Sequence, residues 1–280
     1  MSVLSEQDII DELGNGILIY PFKKSHLTGS CLALTASQYA YDIKEKKLLD
    51  TYIVPDQPDP NQKFFILPPR DTVLVWTRES VCINEYFCGS IIARVRLVSK
   101  GIGHIGTRVN PNWAGILCIA LHNLSDADIQ INVGETIAYL RFYKLLSKSM
   151  TPKNLHNPAR LDILPESCPV PDTLNKWMSD GSNRWRRGNE DALMEKLTND
   201  SPDYAEILRD RERKLKYLQE QSTSHKVMLW FKKLTAPVVL SALILIYLNI
   251  SPQNPLLGNL ILAIIPVVGT IAVEITLYKK

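Results

Sequence analysis

The residues best suited to chemistry cluster between positions 94 and 108, where Arg94, Arg96, Ser99, Lys100 and Arg108 are interleaved with Gly101, Gly103 and Gly106. Guanidinium forks, an ammonium, a hydroxyl and exposed glycine amides are the donors that hold phosphate oxygens, and they do so without moving a proton. The spacing Gly101-x-Gly103-x-x-Gly106 formally matches a dinucleotide fingerprint. Arg108-Val-Asn-Pro111 cannot open the helix that such a site requires, so this reading is discarded. His26, His104, His122, His156 and His225 are scattered, and no His-x-Glu is followed by Pro-Cys-x-x-Cys, which excludes a zinc deaminase on ligand count. No metal site is expected.

These groups must be positioned by a chain of 280 residues, long enough for one or two domains with a proper core. A net charge of +3 is too mild for a nucleic-acid binder, and no basic stretch with interleaved aromatics occurs in the N-terminal half. Cys31, Cys82, Cys88, Cys118 and Cys168 form no CxxC pair and lie mostly in apolar contexts, so buried, reduced thiols and a cytosolic domain are expected. The opening Met1-Ser-Val-Leu-Ser-Glu-Gln-Asp8 has neither the basic start nor the apolar run of a secretory signal.

Ser5 with Glu6 and Asp8 predicts a capped helix to Leu13. Short apolar or alternating runs follow at 17–19, 31–35, 63–67, 71–77, 90–98, 115–122, 129–132 and 136–142, punctuated by Gly, Pro and Asn, which predicts an all-β barrel or jelly-roll-like head over 1–148. Residues 149–200 read as a connector with short helices, carrying Trp177, Arg184, Trp185, Arg186 and Arg187. Ser201-Pro202-Asp203 predicts a further helix start, and Tyr204, Leu208, Arg211, Leu215 and Leu218 mark a heptad stripe that either packs on its own domain or forms a stalk over 201–233.

Hydropathy changes abruptly after Lys233. Leu234–Ile250 and Leu256–Leu277 are apolar runs joined by Ser251-Pro-Gln-Asn-Pro255. Each approaches the ~20 residues that cross a ~30 Å hydrocarbon core, which predicts a transmembrane α-hairpin over 234–280, with Trp230 extending the first span. Lys226, Lys232 and Lys233 precede the hairpin and Lys279 and Lys280 follow it, so both termini and the head are expected in the cytoplasm, at a bacterial inner membrane. Glu274, about one turn from the end of the second span, either snorkels to the headgroups or lines a pore.

The strand order resembles the dCTP deaminase and dUTPase superfamily over roughly residues 3–145. The resemblance is carried by Leu4-Ser-Glu-Gln-Asp-Ile9, Gly29-Ser-Cys-Leu-Ala-Leu34, Val73-Leu-Val-Trp-Thr-Arg-Glu79, Gly89-Ser-Ile-Ile-Ala-Arg94, Arg108-Val-Asn-Pro-Asn-Trp-Ala-Gly115, Leu121-His-Asn123 and Gly134-Glu-Thr-Ile-Ala-Tyr-Leu140. It implies a distorted jelly-roll that trimerises, with nucleotide sites between subunits. It also implies ligand-binding roles for Arg94, Arg96, Ser99, Lys100, Arg108, Asn110, Trp113 and Tyr139, the last standing where the family has glutamine.

The chemistry-bearing positions of that family are replaced. Ala33 stands for the carboxylate of the first motif, Val95 for the first serine of the phosphate-binding Arg-Ser-Ser, Asn110 for an aspartate of the dUTPase branch, and Ala120 for the acid/base glutamate of the deaminase branch. Neither an amide nor a methyl group shuttles a proton at neutral pH. The favoured expectation is a non-catalytic, trimeric, membrane-anchored nucleotide binder, with Mg2+ arriving only alongside a nucleotide, in the setting of a bacterial stress or antiphage effector. Two alternatives are a tethered deaminase or pyrophosphatase using Glu79, Glu135 or Asp126, and a trimeric scaffold that binds protein.

Overall fold

The computed structural model describes residues 1–55, 59–104, 106–150 and 190–220, with the single positions 164, 172, 245, 246, 248, 256 and 259. The chain divides into two compact units, Met1–Leu208 and Arg209–Lys280. In the first, strands β1 (Ser2–Val3), β2 (Ile17–Tyr20), β3 (Leu27–Thr28), β4 (Cys31–Asp42), β5 (Lys47–Leu48), β6 (Tyr52–Ile53) and β7 (Lys63–Leu67) occupy the N-terminal half. Then come β8 (Thr72–Ile83), β9 (Phe87–Ala93), β10 (Ile102–Gly103), β11 (Arg108–Val109), β12 (Ala114–Asn123), β13 (Ile129–Asn132) and β14 (Thr136–Lys144).

The opening helix α1, Glu6–Glu12, starts where the cap signal places it. The Ser5 hydroxyl accepts the Asp8 amide, and Asp8 Oδ2 accepts the Ser5 amide at 2.9 Å, a reciprocal capping box. Those donors, the Ser5 amide foremost and its hydroxyl second, hold the Asp8 carboxyl below the usual carboxylate range.

The main sheet runs β10-β12-β8-β4-β14-β9-β11, antiparallel throughout, and a smaller sheet runs β13-β7-β6. Strands β4 and β8 are long and central, and β-branched or aromatic residues such as Val73, Val75 and Trp76 fill the pleat. Phe65, Leu67, Ile129 and Ile131 of the small sheet join Leu34, Val75, Ile119 and Leu140 of the large one in a single core. Each fully buried aliphatic side chain there is worth about 1.5–3 kcal/mol of transfer free energy. Because alternate residues point to opposite faces, Tyr41, Trp76 and Ile116 form a second, smaller cluster.

The strand expected over 90–98 ends at Ala93, and Val95–Val98 is a single helical turn, α2. An apolar run of that length does not distinguish strand from helix, and only Leu97 of the turn is buried. The thiols are less buried than expected: Cys82 is buried, whereas Cys31, Cys88 and Cys118 are half-buried, and none of the four is joined in a disulfide. Burial still pushes the Cys88 thiol up. Cys168 lies outside the described residues.

The connector supplies helix α3, Glu190–Asp200, and residues 202–208 open the next helix. Leu197, Tyr204 and Ile207 are buried in the core of the head. Tyr204 seats on Gly14, whose φ of +81° suits glycine and where a Cβ would collide with the Tyr204 hydroxyl. Tyr20 donates to Asp200 at 2.9 Å, the Phe22 amide to the Ser201 hydroxyl at 3.3 Å and the Lys24 amide to Asp203 at 2.6 Å. The first part of the heptad stripe thus packs on its own domain, the commoner of the two expected fates.

Residues 209–220, in the second unit, are helical, with Leu215 and Leu218 exposed. Among the described residues no helix is long and apolar enough to cross a membrane. The hairpin expected over 234–280, with Trp230 and Glu274, lies outside the described residues apart from single positions, as do Trp177, Arg184, Trp185, Arg186 and Arg187.

Candidate functional site

Strand β9 ends at Ala93, and the chain turns through Arg94 into α2. That turn brings Arg94, Arg96 and Lys100 to the wall of a cleft of about 780 Å³. The turn between β13 and β14, Asn132 to Thr136, and Arg78 of β8 line the same cleft. Three members of the basic run expected from the sequence therefore meet in one place. Arg78, which the sequence reading left unassigned, joins them.

The cations are not equivalent. Arg94 Nη1 donates to the Thr136 carbonyl at 2.6 Å and lies 3.3 Å from Glu135 Oε1, with both side chains largely sheltered. Arg94 is thereby held in place and its charge offset. Arg78, Arg96 and Lys100 have no carboxylate partner among the described residues and are exposed. The local result is an excess of positive charge, which attracts anions.

Glycine builds one edge of this cleft. Gly134 has φ +85°, and a Cβ there would stand 3.1 Å from Arg78 Nη1, so the guanidinium lies against bare backbone. The Gly134 amide donates to the Ala36 carbonyl at 2.8 Å, which fixes the turn on β4. Register shifts in β4 between Ala36 and Ala40 and in β14 between Thr136 and Ala138 flank the same region. Bulges of this kind re-aim side chains beside sites.

The other expected site residues do not line this cleft. Ser99 ends α2, and its hydroxyl donates to the Arg96 carbonyl at 3.0 Å. Arg108 is exposed on edge strand β11 opposite Ser90. The Asn110 carbonyl accepts the Trp113 amide at 3.2 Å in the tight turn through Asn112, and Trp113 Nε1 donates to the Gly115 carbonyl at 3.2 Å. Tyr139 sits within β14 between Ala33 and Ile92.

Positions 33, 95 and 120 hold only apolar side chains: Ala33 buried in β4, Val95 exposed on α2, and Ala120 half-buried opposite Leu74. Asn123 spends its side chain on its own turn, donating to the Leu67 and Ala127 carbonyls and accepting from Ser125.

The candidate replacement carboxylates separate clearly. Glu79 is fully buried and accepts the Thr35 amide at 2.7 Å and the Thr35 hydroxyl at 2.6 Å, with His26 Nδ1 at 3.5 Å. Asp126 pairs with Arg70 at 2.8 Å on the surface. Only Glu135 lines the cationic cleft, and it is engaged with Arg94. Among the described residues no group of His, Cys, Asp and Glu is arranged to hold a metal ion.

The mainly-β head is the part of the chain to which the comparisons give a family. The dCTP deaminase-like family model matches residues 3–145, and the chain belongs to that family. The chain is similar to the dCTP deaminase of Pyrococcus furiosus, with 25% identity over 136 residues that cover 49% of this chain and 81% of that protein. It is similar to the dCTP deaminase of Thermococcus gammatolerans, with 29% identity over 136 residues covering 49% and 80%. Among solved structures, a dCTP deaminase from Agrobacterium tumefaciens aligns with a TM-score of 0.40 and 13% identity, over 50% of this chain and 47% of that one.

Proposed function

We infer that the chain is a non-catalytic, membrane-anchored member of the dCTP deaminase-like family that binds a nucleotide through its phosphates and passes the event to its C-terminal segment. The observation that carries the reading is the cleft itself, where Arg78, Arg96 and Lys100 lack carboxylate partners among the described residues while the lone carboxylate, Glu135, is occupied by Arg94. Such a site holds phosphate well and offers no unengaged carboxylate to move a proton. Ala33, Asn110 and Ala120 at the family's carboxylate positions support the same reading.

Anchoring is supported by the apolar runs 234–250 and 256–277 and by Leu245, Ile246, Leu248 and Leu256, which are helical and 45% to 83% exposed. Exposed apolar helix is stable in lipid and costly in water. In this reading the head faces the cytoplasm and the chain assembles as a homotrimer, in which Arg108, Asn110, Trp113 and Tyr139 reach ligand held by a neighbouring copy. Coupling toward the C-terminus is supported by the bonds from Tyr20, Phe22 and Lys24 to Asp200, Ser201 and Asp203. Permeabilisation of a bacterial inner membrane in stress or phage defence would follow from ligand-driven assembly.

The competing reading is a tethered deaminase or pyrophosphatase with Glu135 as its base, favoured by the presence of that carboxylate in the cleft. Incubating the full-length chain with Mg2+ and dCTP or dUTP separates the two. Binding without release of ammonia or pyrophosphate is expected, and turnover that Glu135→Gln abolishes would establish the enzyme instead.

A further inference from the structure

The register of the main sheet brings one side chain from each of five strands into a single transverse row: Thr28 of β3, Cys31 of β4, Arg141 of β14, Ser90 of β9 and Arg108 of β11. Residues directly opposite one another share a face. Leu140 and Phe142, on either side of Arg141, belong to the core, so the row lies on the outer face of the sheet. It shares no residue with the lining of the cationic cleft.

The row is rich in donors and contains no acid. The rows beside it on the same face, Val3–Tyr143–Cys88 and Ala33–Tyr139–Ile92, add no carboxylate. Arg108 is exposed and Arg141 half-buried, and neither has a carboxylate partner among the described residues. Contact with the Cys31 sulfur foremost, and also with the Tyr143 hydroxyl, holds the Arg141 guanidinium above its ordinary pKa, so it keeps its charge. Its Nε is nevertheless buried without a hydrogen-bond acceptor. A buried charged donor left in that state costs free energy, and an acceptor from outside the chain removes the cost.

Neighbouring strands are about 4.8 Å apart, which sets the Arg141 and Arg108 backbones roughly 10 Å apart with Ser90 between them. Two guanidinium forks at that separation can close on one ion from both sides. The Ser90 hydroxyl lies 3.0 Å from the Tyr143 hydroxyl, and either can donate to the other, which leaves Ser90 able to turn its proton toward the ion.

We propose that Arg141, Ser90 and Arg108 form a site for a small, fully deprotonated divalent oxyanion, of which sulfate is the type. Two fixed positive charges meet two negative ones. A site made of donors, with no carboxylate to accept a proton, favours sulfate over hydrogen phosphate, which carries one. Bound there, the ion ties the two-residue edge strand β11 to β14 across β9. The site is separate from the phosphate cleft and goes beyond the function proposed above.

The test is calorimetric titration of the full-length chain in mild detergent with sodium sulfate and sodium phosphate at neutral pH and constant ionic strength. The chain carries Arg96→Ala throughout, so that the cationic cleft contributes little. Saturable sulfate binding is expected, at least about tenfold tighter than phosphate. Adding Arg108→Gln or Arg141→Gln is expected to weaken it at least about tenfold, the scale of one charge-assisted hydrogen bond. Arg108 is exposed, so its variant removes one arm of the site without disturbing the core. The proposal is overturned if sulfate shows no saturable binding, if phosphate binds as tightly, or if both glutamine variants bind sulfate as their parent does. Loss of self-association in the Arg141→Gln chain, with no sulfate binding in its parent, would give the buried Nε to a carboxylate of a second copy and would overturn it too.

Discussion

Glu79 and Glu135 are two carboxylates of one head in opposite circumstances. Glu79 lies inside the β4–β8 junction with both oxygens taken by Thr35, and Thr77 secures the same stretch by donating to the Glu79 carbonyl at 2.7 Å while accepting the Leu117 amide at 3.1 Å. Glu135 stands at a cleft where cations outnumber carboxylates. The Glu79 oxygens and the Thr77 hydroxyl are spent on bonds within the sheet, which they hold together. The cleft leaves charge unmatched, which serves recognition. The difference separates what the head needs in order to fold from what it keeps for binding.

The sharpest break of this contrast is Glu79→Ala. It strands the Thr35 amide and hydroxyl in the core, and a loss of about 3–5 kcal/mol is expected, read as a lowered denaturant midpoint. An unchanged midpoint would remove Glu79 from the scaffold. Tyr204→Ala comes next, at about 3 kcal/mol, because it empties a fully buried site against Gly14. Hydrogen exchange should then rise across residues 190–208 ahead of the central strands.

Arg96→Ala acts on the other side of the comparison. Polyphosphate affinity is expected to fall about tenfold, or about 1.4 kcal/mol, with the denaturant midpoint unmoved and a weaker dependence of binding on salt. A drop in stability of the same size would make Arg96 a structural residue. The smallest effect is Ser5→Ala, which removes the α1 cap at a cost of about 1 kcal/mol. Because the Asp8 carboxyl is held low in the folded chain, its contribution is present above the ordinary carboxylate range and is lost as pH falls through the lowered folded value. In the Ser5→Ala protein the Asp8 carboxyl, followed by NMR, should titrate closer to the ordinary range.

Local signals were the readable ones. Ser5 and Asp8 lie three residues apart and wrote the start of α1 into the chain, and the strands at Lys63–Leu67 and Ile129–Asn132 match their alternating or apolar runs in full. Strand β4 runs on to Asp42 beyond the expected Thr35: Ala36-Ser-Gln-Tyr39 carries little apolar signal, and pairing with β8 at Ala36 and again at Ala40–Asp42, on either side of the register shift, continues the strand. Arg94, Arg96 and Lys100 were legible as a cationic run. Arg78 was not, since its place beside Gly134 depends on how β8 and the β13–β14 turn come together, as does the pairing of Arg94 with Glu135. The link from Tyr20 to Asp200 joins residues 180 positions apart in the chain and has no trace in local spacing.

Recognition without turnover is tested most directly by the heat trace of the full-length chain titrated with deoxynucleoside triphosphates in the presence of Mg2+. The expected result is a series of injections that saturate and return to baseline, the signature of binding alone. A steady heat flow that persists after each injection and scales with enzyme concentration would mean that the head is processing its ligand, and would contradict it.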